Sequence, residues 1–449
     1  MHNDLAESID ADFALTKSQL EELIRIPSVS APGFAPEEVR RSAEATAAIF
    51  ESSGLGRSRL LEVEGAHPAV FAELPTPPGA PTVLLYAHHD VQPAGSEDDW
   101  DTPPFEPVEA EGRLYGRGSS DDKCGIVLHA AAIRALGGAV PVGVKVLIEG
   151  EEEVGSTHLG EFLVQYSDLL AADAIVIADS GNWRLGTPAL TTSLRGLVDC
   201  VVEVRTLRHA IHSGSFGGVF PDALTALARV LATLHDDRGE VAVTGLVSGD
   251  APPLDLTEDE LREQAEPVEG LELIGSGTLT ARMWRKPAIS VLAIDAPPLA
   301  HAINQLVPVA RAKISMRIPP GNEPSEAMAA LATHLEAAAP WGCQVTVTPG
   351  ASGEGFDLGT GGAAFTIFQQ ALTTAFGADT ISAGEGGSIP FVAAFEEQYP
   401  EAAILLTGVA DPTSRFHGPN ESLSLDDLRS GILAEALALR MLAEPGSVE

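Results

Sequence analysis

Basic residues, aromatic residues and cysteines are all scarce in this chain of 449 residues. The 27 lysines and arginines are outnumbered by 64 aspartates and glutamates, and the net charge of −37 argues against nucleic acids and anionic membrane surfaces as main partners. Aromatic residues make up 5% of the chain, so the core must consist mostly of Ala, Val, Leu and Ile. The three cysteines (Cys124, Cys200 and Cys343) are far apart, which argues against a disulfide framework or a structural zinc knuckle.

Long apolar runs are also missing. No run approaches the roughly 20 residues that a membrane-spanning helix needs. Residues 1–20 do not combine a basic segment with a following apolar one, as a secretory signal would. We therefore expect a soluble, cytoplasmic protein. With 449 residues, of which 45% are hydrophobic, the chain is long enough for two domains.

Short apolar runs alternate with helical patterns in the first part of the chain. This alternation predicts an α/β fold, with a layered catalytic domain built around a central, mostly parallel sheet. Strand patterns lie at 81–87, 142–148 and 173–178, and helical patterns lie at 11–25, 36–53, 126–136 and 159–170.

The pattern changes from about residue 191. Two strand–helix–strand passages, separated by a loop-rich stretch at 246–287, predict an inserted α+β domain. We interpret 191–361 as this lid or dimerisation domain, and 1–190 and 362–449 as the two parts of the catalytic domain. Its strands are expected at 197–205, 312–318 and 343–348, its helices at 222–236 and 325–338, a linker at 350–362, and a last catalytic-domain strand at 402–408.

Four glutamates occupy the five positions from Glu149 to Glu153, directly after an apolar strand pattern. Like charges this close repel and raise one another's pKa values, and such a run is most often a solvated surface. Other strand patterns also lead into polar residues. His88 and Asp90 follow the first strand pattern, and Asp179 follows the third. Two more polar residues complete the set, with Asp121 before a helical pattern and His417 in a late loop.

Each of these residues alone has an ordinary explanation. A His and an Asp two positions apart often form a surface hydrogen bond, and an Asp before a helix often caps it. Taken together they indicate a site, because the carboxyl ends of parallel strands meet at one edge of a sheet. Carboxylates and imidazoles without thiolates suit zinc, manganese or cobalt in a hydrolytic site.

The motifs AHHDVQP, GRGSSDDK, EGEEEVGS, ADSG and FHGPNE, in this order, resemble the aminoacylase/carboxypeptidase/carnosinase family of two-metal hydrolases, and its dipeptidase branch most of all. The resemblance implies a metallopeptidase with two divalent ions, with zinc expected and manganese or cobalt as alternatives. It also implies a role for each motif residue. His88 and Asp179 would bind one ion, Glu153 and His417 the other, Asp121 would bridge them, Glu152 would take a proton from a metal-bound water, and Asp90 would orient His88.

The resemblance extends to the inserted region and implies a homodimer formed through the lid. It assigns an oxyanion-holding role to His212 and binding of the substrate's terminal carboxylate to Arg317. The chain differs from the family pattern at Ala210 and Ile211, where Asp-Leu is common, and at Gly384, where Arg is common. The other substrate-binding residues implied are Asn304 in the lid, and Gly387 and Ser388 in the loop GEGGSIPF.

Several alternatives remain open from the sequence. The same site would serve an N-acyl-amino-acid deacylase or a carboxypeptidase of this family. A non-catalytic binding protein with a structural metal is a third hypothesis, although a structural site needs no base such as Glu152. The last is an acidic surface that binds cations loosely. We expect packing roles for His89, His129, Cys124 and Trp284, and assign no role to Glu149 and Glu151.

Overall fold

The computed structural model describes residues 3–387 and 390–443. Its strands are β1 (Arg59–Leu61), β2 (Ala69–Leu74), β3 (Thr82–His88), β4 (Val108–Ala110), β5 (Arg113–Tyr115), β6 (Gly143–Glu149), β7 (Ala174–Ile177), β8 (Ala189–Leu194), β9 (Gly196–Arg205), β10 (Ile211–His212), β11 (Ala288–Asp295), β12 (Gln305–Leu306), β13 (Val309–Ile318), β14 (Gln344–Gly353), β15 (Phe356–Asp357), β16 (Ile381–Glu385), β17 (Ala403–Leu406) and β18 (Ser422–Ser424). Its helices are α1 (Asn3–Ile24), α2 (Pro36–Phe50), α3 (Lys123–Ala135), α4 (Leu159–Gln165), α5 (Ser167–Leu170), α6 (Ser213–Phe216), α7 (Ala223–Ala232), α8 (Glu258–Ala265), α9 (Leu279–Trp284), α10 (Pro324–Ala337), α11 (Ala363–Phe376), α12 (Pro390–Gln398) and α13 (Leu425–Met441).

The chain folds into two compact units. The first unit contains Met1–Thr192, Leu358–Ala383 and Pro390–Glu449. The second unit contains Ser193–Asp357 and Gly384–Ile389. Each unit has a hydrophobic core of its own, built mostly from aliphatic side chains as the scarcity of aromatic residues requires.

The first unit is built on a sheet with the strand order β1-β2-β6-β3-β7-β17. Strands β6, β3, β7 and β17 are parallel, whereas β1 and β2 join antiparallel at one side and β8 joins β17 antiparallel at the other. All four residues of β7 are buried, as expected for a central strand covered on both faces. The predicted layered α/β fold is confirmed, with a sheet that is parallel in its centre and antiparallel at its flanks.

Helix α3 is the central helix of the first unit. It packs against α1, α13 and β3, and every residue from Lys123 to Ile133 is buried. Helix α1 contributes Leu20, Leu23 and Ile24 to the same core. These helices therefore support β3, the strand that ends at His88.

The second unit contains a four-stranded antiparallel sheet with the order β11-β13-β9-β14. Along β9 buried and half-buried residues alternate, because successive side chains of a strand point to opposite faces. Helices α7 and α10 pack on the buried face, over a core that includes Val202, Leu227 and Ile314.

Some predicted elements differ from the observed ones. The helix predicted at 159–170 is interrupted at Tyr166, whose ψ of 23° is not helical and whose hydroxyl donates to the backbone O of Glu62. The predicted linker at 350–362 is partly strand, since β14 runs to Gly353 and β15 follows. The loop-rich stretch at 246–287 contains α8 and α9. None of the described helices is long and apolar enough to cross a membrane.

Candidate metal centre

Three parallel strands of the first unit deliver the polar residues predicted from the sequence. Strand β3 ends at His88, β6 leads into a 3₁₀ turn at Glu152–Val154, and β7 ends two residues before Asp179. Because these strands are parallel and adjacent, their carboxyl ends lie at the same edge of the sheet. The strand order alone thus places three chain segments around one point.

A small second sheet brings in the remaining two residues. Strand β18 pairs with β5, and β5 pairs with β4. The loop after β5 carries Asp121, and the loop before β18 carries His417. Pairing of β5 with β18 therefore joins segments that are about 300 residues apart in the chain.

Asp121 lies between the two imidazoles. Its Oδ1 is 3.0 Å from His88 Nε2 and its Oδ2 is 3.0 Å from His417 Nε2. Asp179 Oδ1 lies 3.9 Å from His88 Nε2, and Glu153 Oε2 lies 3.2 Å from His417 Nε2. The residues form two groups that share one carboxylate, which is the arrangement of a bridging ligand.

Asp122 is close to the same site, although the sequence analysis gave it no part in the chemistry. A ligand atom of Asp122 lies within 4.8 Å of those of His88 and Asp179. Its carboxylate also accepts from Gly125 N at 3.2 Å and from His88 N at 3.3 Å, so it caps α3 and holds the end of β3. The peptide bond between Asp121 and Asp122 is cis. The structure therefore contains two candidate metal-binding groups, one of which can include Asp122.

Asp90 organises the neighbouring residues from a fully buried position. It lies 3.4 Å from His88 Nδ1 and accepts from the backbone N–H groups of Glu152 and Glu153 at 3.2 and 3.1 Å. Burial raises the pKa of Asp90, but the hydrogen bonds from His88 and Ser30 outweigh it and hold that pKa below its ordinary value. One charged carboxylate therefore positions residues of both metal-binding groups.

The remaining carboxylates of the site lie close together, and the neighbouring imidazoles do not balance their negative charge. Burial, followed by the field of neighbouring acids, raises the pKa of Glu152 to about 8 and that of Glu153 above its ordinary value. Burial also raises the pKa of Asp179 well above its ordinary value. Hydrogen bonds with Asp121 and Glu153 raise the pKa of His417 to about 10. Such a cluster attracts cations.

The donor set fits divalent metals. Two imidazoles and several carboxylates converge without a thiolate, as in hydrolytic zinc, manganese or cobalt sites. Cys124 is buried, its Sγ lies 3.4 Å from Ser120 O, and burial raises its thiol pKa well above the ordinary value. A neutral thiol in this position is a packing group and no ligand.

The four glutamates of the run have three different surroundings. Glu152 and Glu153 line the site, whereas the Oε2 atom of Glu149 accepts from the Tyr86 hydroxyl at 2.6 Å. Glu151 accepts from His67 N at 2.8 Å and from His158 Nδ1 at 2.7 Å. Glu149 and Glu151 are both buried, so the run is not a solvated surface.

Glu421 is a residue that the sequence analysis missed. It is fully buried and accepts from the backbone N–H groups of Gly118, Ser120 and Asp121 at 2.9–3.1 Å. It also accepts from Arg117 Nη1 at 2.6 Å. Glu421 thus ties the loop that carries Asp121 to the loop that carries His417. Glu421 is the last residue of the motif FHGPNE, although the motif was given a role only for His417.

The second unit contains the residues expected to contact substrate. His212 pairs with Gln305 across β10 and β12, and Ser213 N donates to Asn304 O at 3.2 Å, so His212 and Asn304 lie close together. Arg317 is half-buried on β13. Gly387 is half-buried. Ser388 lies outside the described residues.

Gly384 occupies a position that a side chain could not enter without movement of its neighbours. A Cβ atom there would lie 2.6 Å from Cγ of Trp284 and 2.7 Å from Oγ of Ser193. The buried indole of Trp284 therefore fills the space beside this backbone. The departure from the family pattern at Gly384 is thus matched by a specific packing partner.

Comparison with known proteins identifies relatives that match most of the chain. The cysteinylglycine-S-conjugate dipeptidase of Corynebacterium striatum is 34% identical over 451 residues, covering 97% of this chain and 98% of that protein. The Beta-Ala-His dipeptidase of Rattus norvegicus is 30% identical over 377 residues, covering 80% of this chain and 76% of that protein.

Solved structures show the same fold. Di-peptidase Dug1p from Saccharomyces cerevisiae superposes with a TM-score of 0.83 at 25% identity, covering 99% of this chain and 100% of that one. Human carnosine dipeptidase 1 gives a TM-score of 0.82 at 25% identity, with 98% of each chain covered. The family pattern of peptidases M20/M25/M40 matches residues 84–440, which include every predicted metal ligand. The chain is a peptidase and belongs to peptidase family M20/M25/M40.

Proposed function

We propose that this protein is a metal-dependent dipeptidase that cleaves small peptides with a free C-terminal carboxylate. The observation that carries the proposal is Asp121, whose two oxygens each lie 3.0 Å from a different imidazole. The two named relatives are dipeptidases, which supports this substrate class.

The proposed ligands divide into two sets. His88 and Asp179 hold one divalent ion, Glu153 and His417 hold the other, and Asp121 bridges them. Two divalent ions contribute +4 and the three carboxylates −3, so the site is nearly neutral when filled. Zinc is the proposed metal, with manganese and cobalt as alternatives. When bound, such ions acidify a water and polarise the scissile carbonyl.

The chain's own residues carry the proton transfers in this proposal. Glu152 takes a proton from the attacking water and passes it to the leaving amine. Asp90 keeps Glu152 and His88 in register through the hydrogen bonds described above.

The proposed substrate contacts come from the second unit. Ser215 N donates to His212 Nδ1 at 3.2 Å, so the neutral imidazole carries its proton on Nε2 and can donate to a developing oxyanion. Arg317 binds the terminal carboxylate, and Asn304, Gly387 and Ser388 provide further polar contacts.

A substrate panel tests the proposed specificity. We expect dipeptides to be hydrolysed at least about tenfold faster, in kcat/KM, than N-acetyl amino acids or longer peptides. The assay uses protein reconstituted in turn with zinc, manganese and cobalt, with chelator-treated protein as the inactive control. Turnover of N-acetyl amino acids without turnover of dipeptides would assign the deacylase function instead, and release of single residues from longer peptides would assign a carboxypeptidase.

We also propose a homodimer formed through the second unit. Strand β11 lies at one edge of its sheet and exposes Val291, Leu292 and Ile294, which are 42–61% exposed. An exposed apolar edge strand readily pairs with another chain. A cytoplasmic location stays a prediction from the sequence.

The oligomeric state can be measured by analytical ultracentrifugation. We expect a dimer, and we expect Leu292→Lys to shift it toward monomer because a charge would be buried at the edge. Leu185→Lys, at an equally exposed leucine of the first unit, is the matched control and should remain dimeric. A wild-type protein that sediments as a monomer at all concentrations would contradict this proposal.

A further inference from the structure

One face of the second unit's sheet is rich in charged residues. Even-numbered residues of β9, such as Val198 and Val202, are buried beneath the helices, so odd-numbered ones point the other way. We call this second side the open face. Its charged members are Asp199, Glu203 and Arg205 of β9, and Arg311, Lys313 and Arg317 of β13.

Opposite charges are paired over most of the open face. Glu203 lies 2.7 Å from Arg311 and 3.1 Å from Arg205. Lys313 forms an ion pair with Asp199 on the neighbouring strand. Basic groups there are balanced by acids, as expected for cross-strand neighbours.

Two further arginines lie at the end of the sheet where β9 begins. Arg317 stands directly opposite Leu197, and Arg195 lies two residues before Leu197, so both arginines belong to the open face. Burial, and after it the positive charge of Arg317, together lower the pKa of Arg195 to about 10. Two guanidinium groups are therefore close enough to repel.

Arg195 is held by backbone carbonyls alone. Its backbone N–H donates to Glu385 O at 3.3 Å. In the guanidinium, Nε donates to Gly386 O at 3.2 Å and Nη1 donates to Lys286 O at 3.4 Å. Within residues 3–387 and 390–443 no acidic side chain pairs with it. A half-buried cation beside another cation costs free energy until an anion joins it.

The neighbouring loop fits closely around this guanidinium. A Cβ atom on Gly386 would lie 2.7 Å from Arg195 Nη2 and 3.2 Å from Met283 O, so the backbone of this loop closely approaches the guanidinium. The segment Glu385–Gly386 leads directly into Gly387, which we proposed as a substrate contact. Arg195 is therefore fixed in place, which lowers the entropy cost of binding an anion.

We propose that Arg195 binds the carboxylate of the substrate together with Arg317, so that two guanidinium groups select peptides with a free C-terminal carboxylate. This inference rests on the proposed dipeptidase function. A carboxylate accepts paired N–H groups from a guanidinium fork and brings a negative charge to the half-buried Arg195, whereas a C-terminal amide is neutral. Selection against amides is thus expected to depend on both arginines.

The test compares a dipeptide with its C-terminal amide, using the metal-reconstituted enzyme. We expect wild type to prefer the free acid. For Arg195→Gln we expect kcat/KM for the acid to fall about 10- to 100-fold, mainly through KM, and kcat/KM for the amide to change by less than about threefold. Arg195→Lys keeps the charge without the fork and should recover part of the preference.

Arg205→Gln is the matched control, because Arg205 lies on the same face but is paired with Glu203. It should keep the wild-type ratio of acid to amide. An equal loss for acid and amide in Arg195→Gln would show a merely structural role and overturn the inference. Wild-type kcat/KM values for both substrates in that variant would also overturn the inference. In either case the proposed dipeptidase function would still stand. A wild type that cleaves no dipeptide would overturn both.

Discussion

Glu152→Gln is expected to abolish most hydrolysis while leaving the metal content unchanged. The substitution keeps the shape of the side chain but removes the group that accepts a proton, and general acid–base catalysis contributes about 10²- to 10⁴-fold. Glu152 Oε2 lies 4.0 Å from His88 Nε2, whereas the proposed bridging Asp121 approaches to 3.0 Å. Its backbone is fixed by Asp90 and is not altered by the change. We therefore expect kcat to fall by that factor.

The measurement pairs dipeptide turnover with metal analysis of the dialysed variant. Glu151→Gln is the matched control, since Glu151 is the adjacent residue but points to His67 and His158. It should retain turnover within a few fold and bind the same metal. Turnover of Glu152→Gln within about tenfold of wild type would remove Glu152 from the mechanism, and loss of metal in that variant would make it a ligand.

The local sequence pattern predicted the part of the site that lies at the carboxyl ends of the strands. Apolar, β-branched runs end at His88 and Glu149, and parallel strands must bring those ends to one edge of the sheet. The layered fold and the convergence of His88, Glu153 and Asp179 follow from this rule, whereas Asp121 and His417 are brought in by the pairing of β5 with β18. The family resemblance, and not periodicity, separated Glu152 and Glu153 from the other glutamates of the run.

Contacts between residues far apart in the chain could not be predicted from the sequence pattern. The buried glutamates Glu149 and Glu151 are bonded to Tyr86 and His158, and neither pair has a periodic signal in the sequence. Asp122 caps α3, and nothing in the sequence indicated that it also lies beside His88. Strand β11 escaped prediction because its apolar residues are exposed and do not alternate with polar ones.

Glu421→Gln should be the most destabilising single change near the site. Arg117 and Glu421 are almost completely buried and lie 2.6 Å apart, so loss of the carboxylate charge leaves a buried guanidinium without its partner. Breaking a buried pair in this way costs about 3–5 kcal/mol. The backbone of Asp121 would also lose a charged acceptor, so we expect weaker metal binding as well as a lower thermal midpoint.

Two comparisons separate the buried ion pair from general effects of charge. Glu62→Gln removes an exposed acid that lies 2.6 Å from Arg40, and such surface pairs contribute about 0–1 kcal/mol, so its thermal midpoint should stay close to wild type. The double variant Arg117→Met with Glu421→Gln removes both charges and should be more stable than Glu421→Gln alone, because no unpaired charge stays buried. If Glu421→Gln unfolds at the wild-type temperature and keeps its metal, the two loops are held together by their strand pairing and not by this carboxylate.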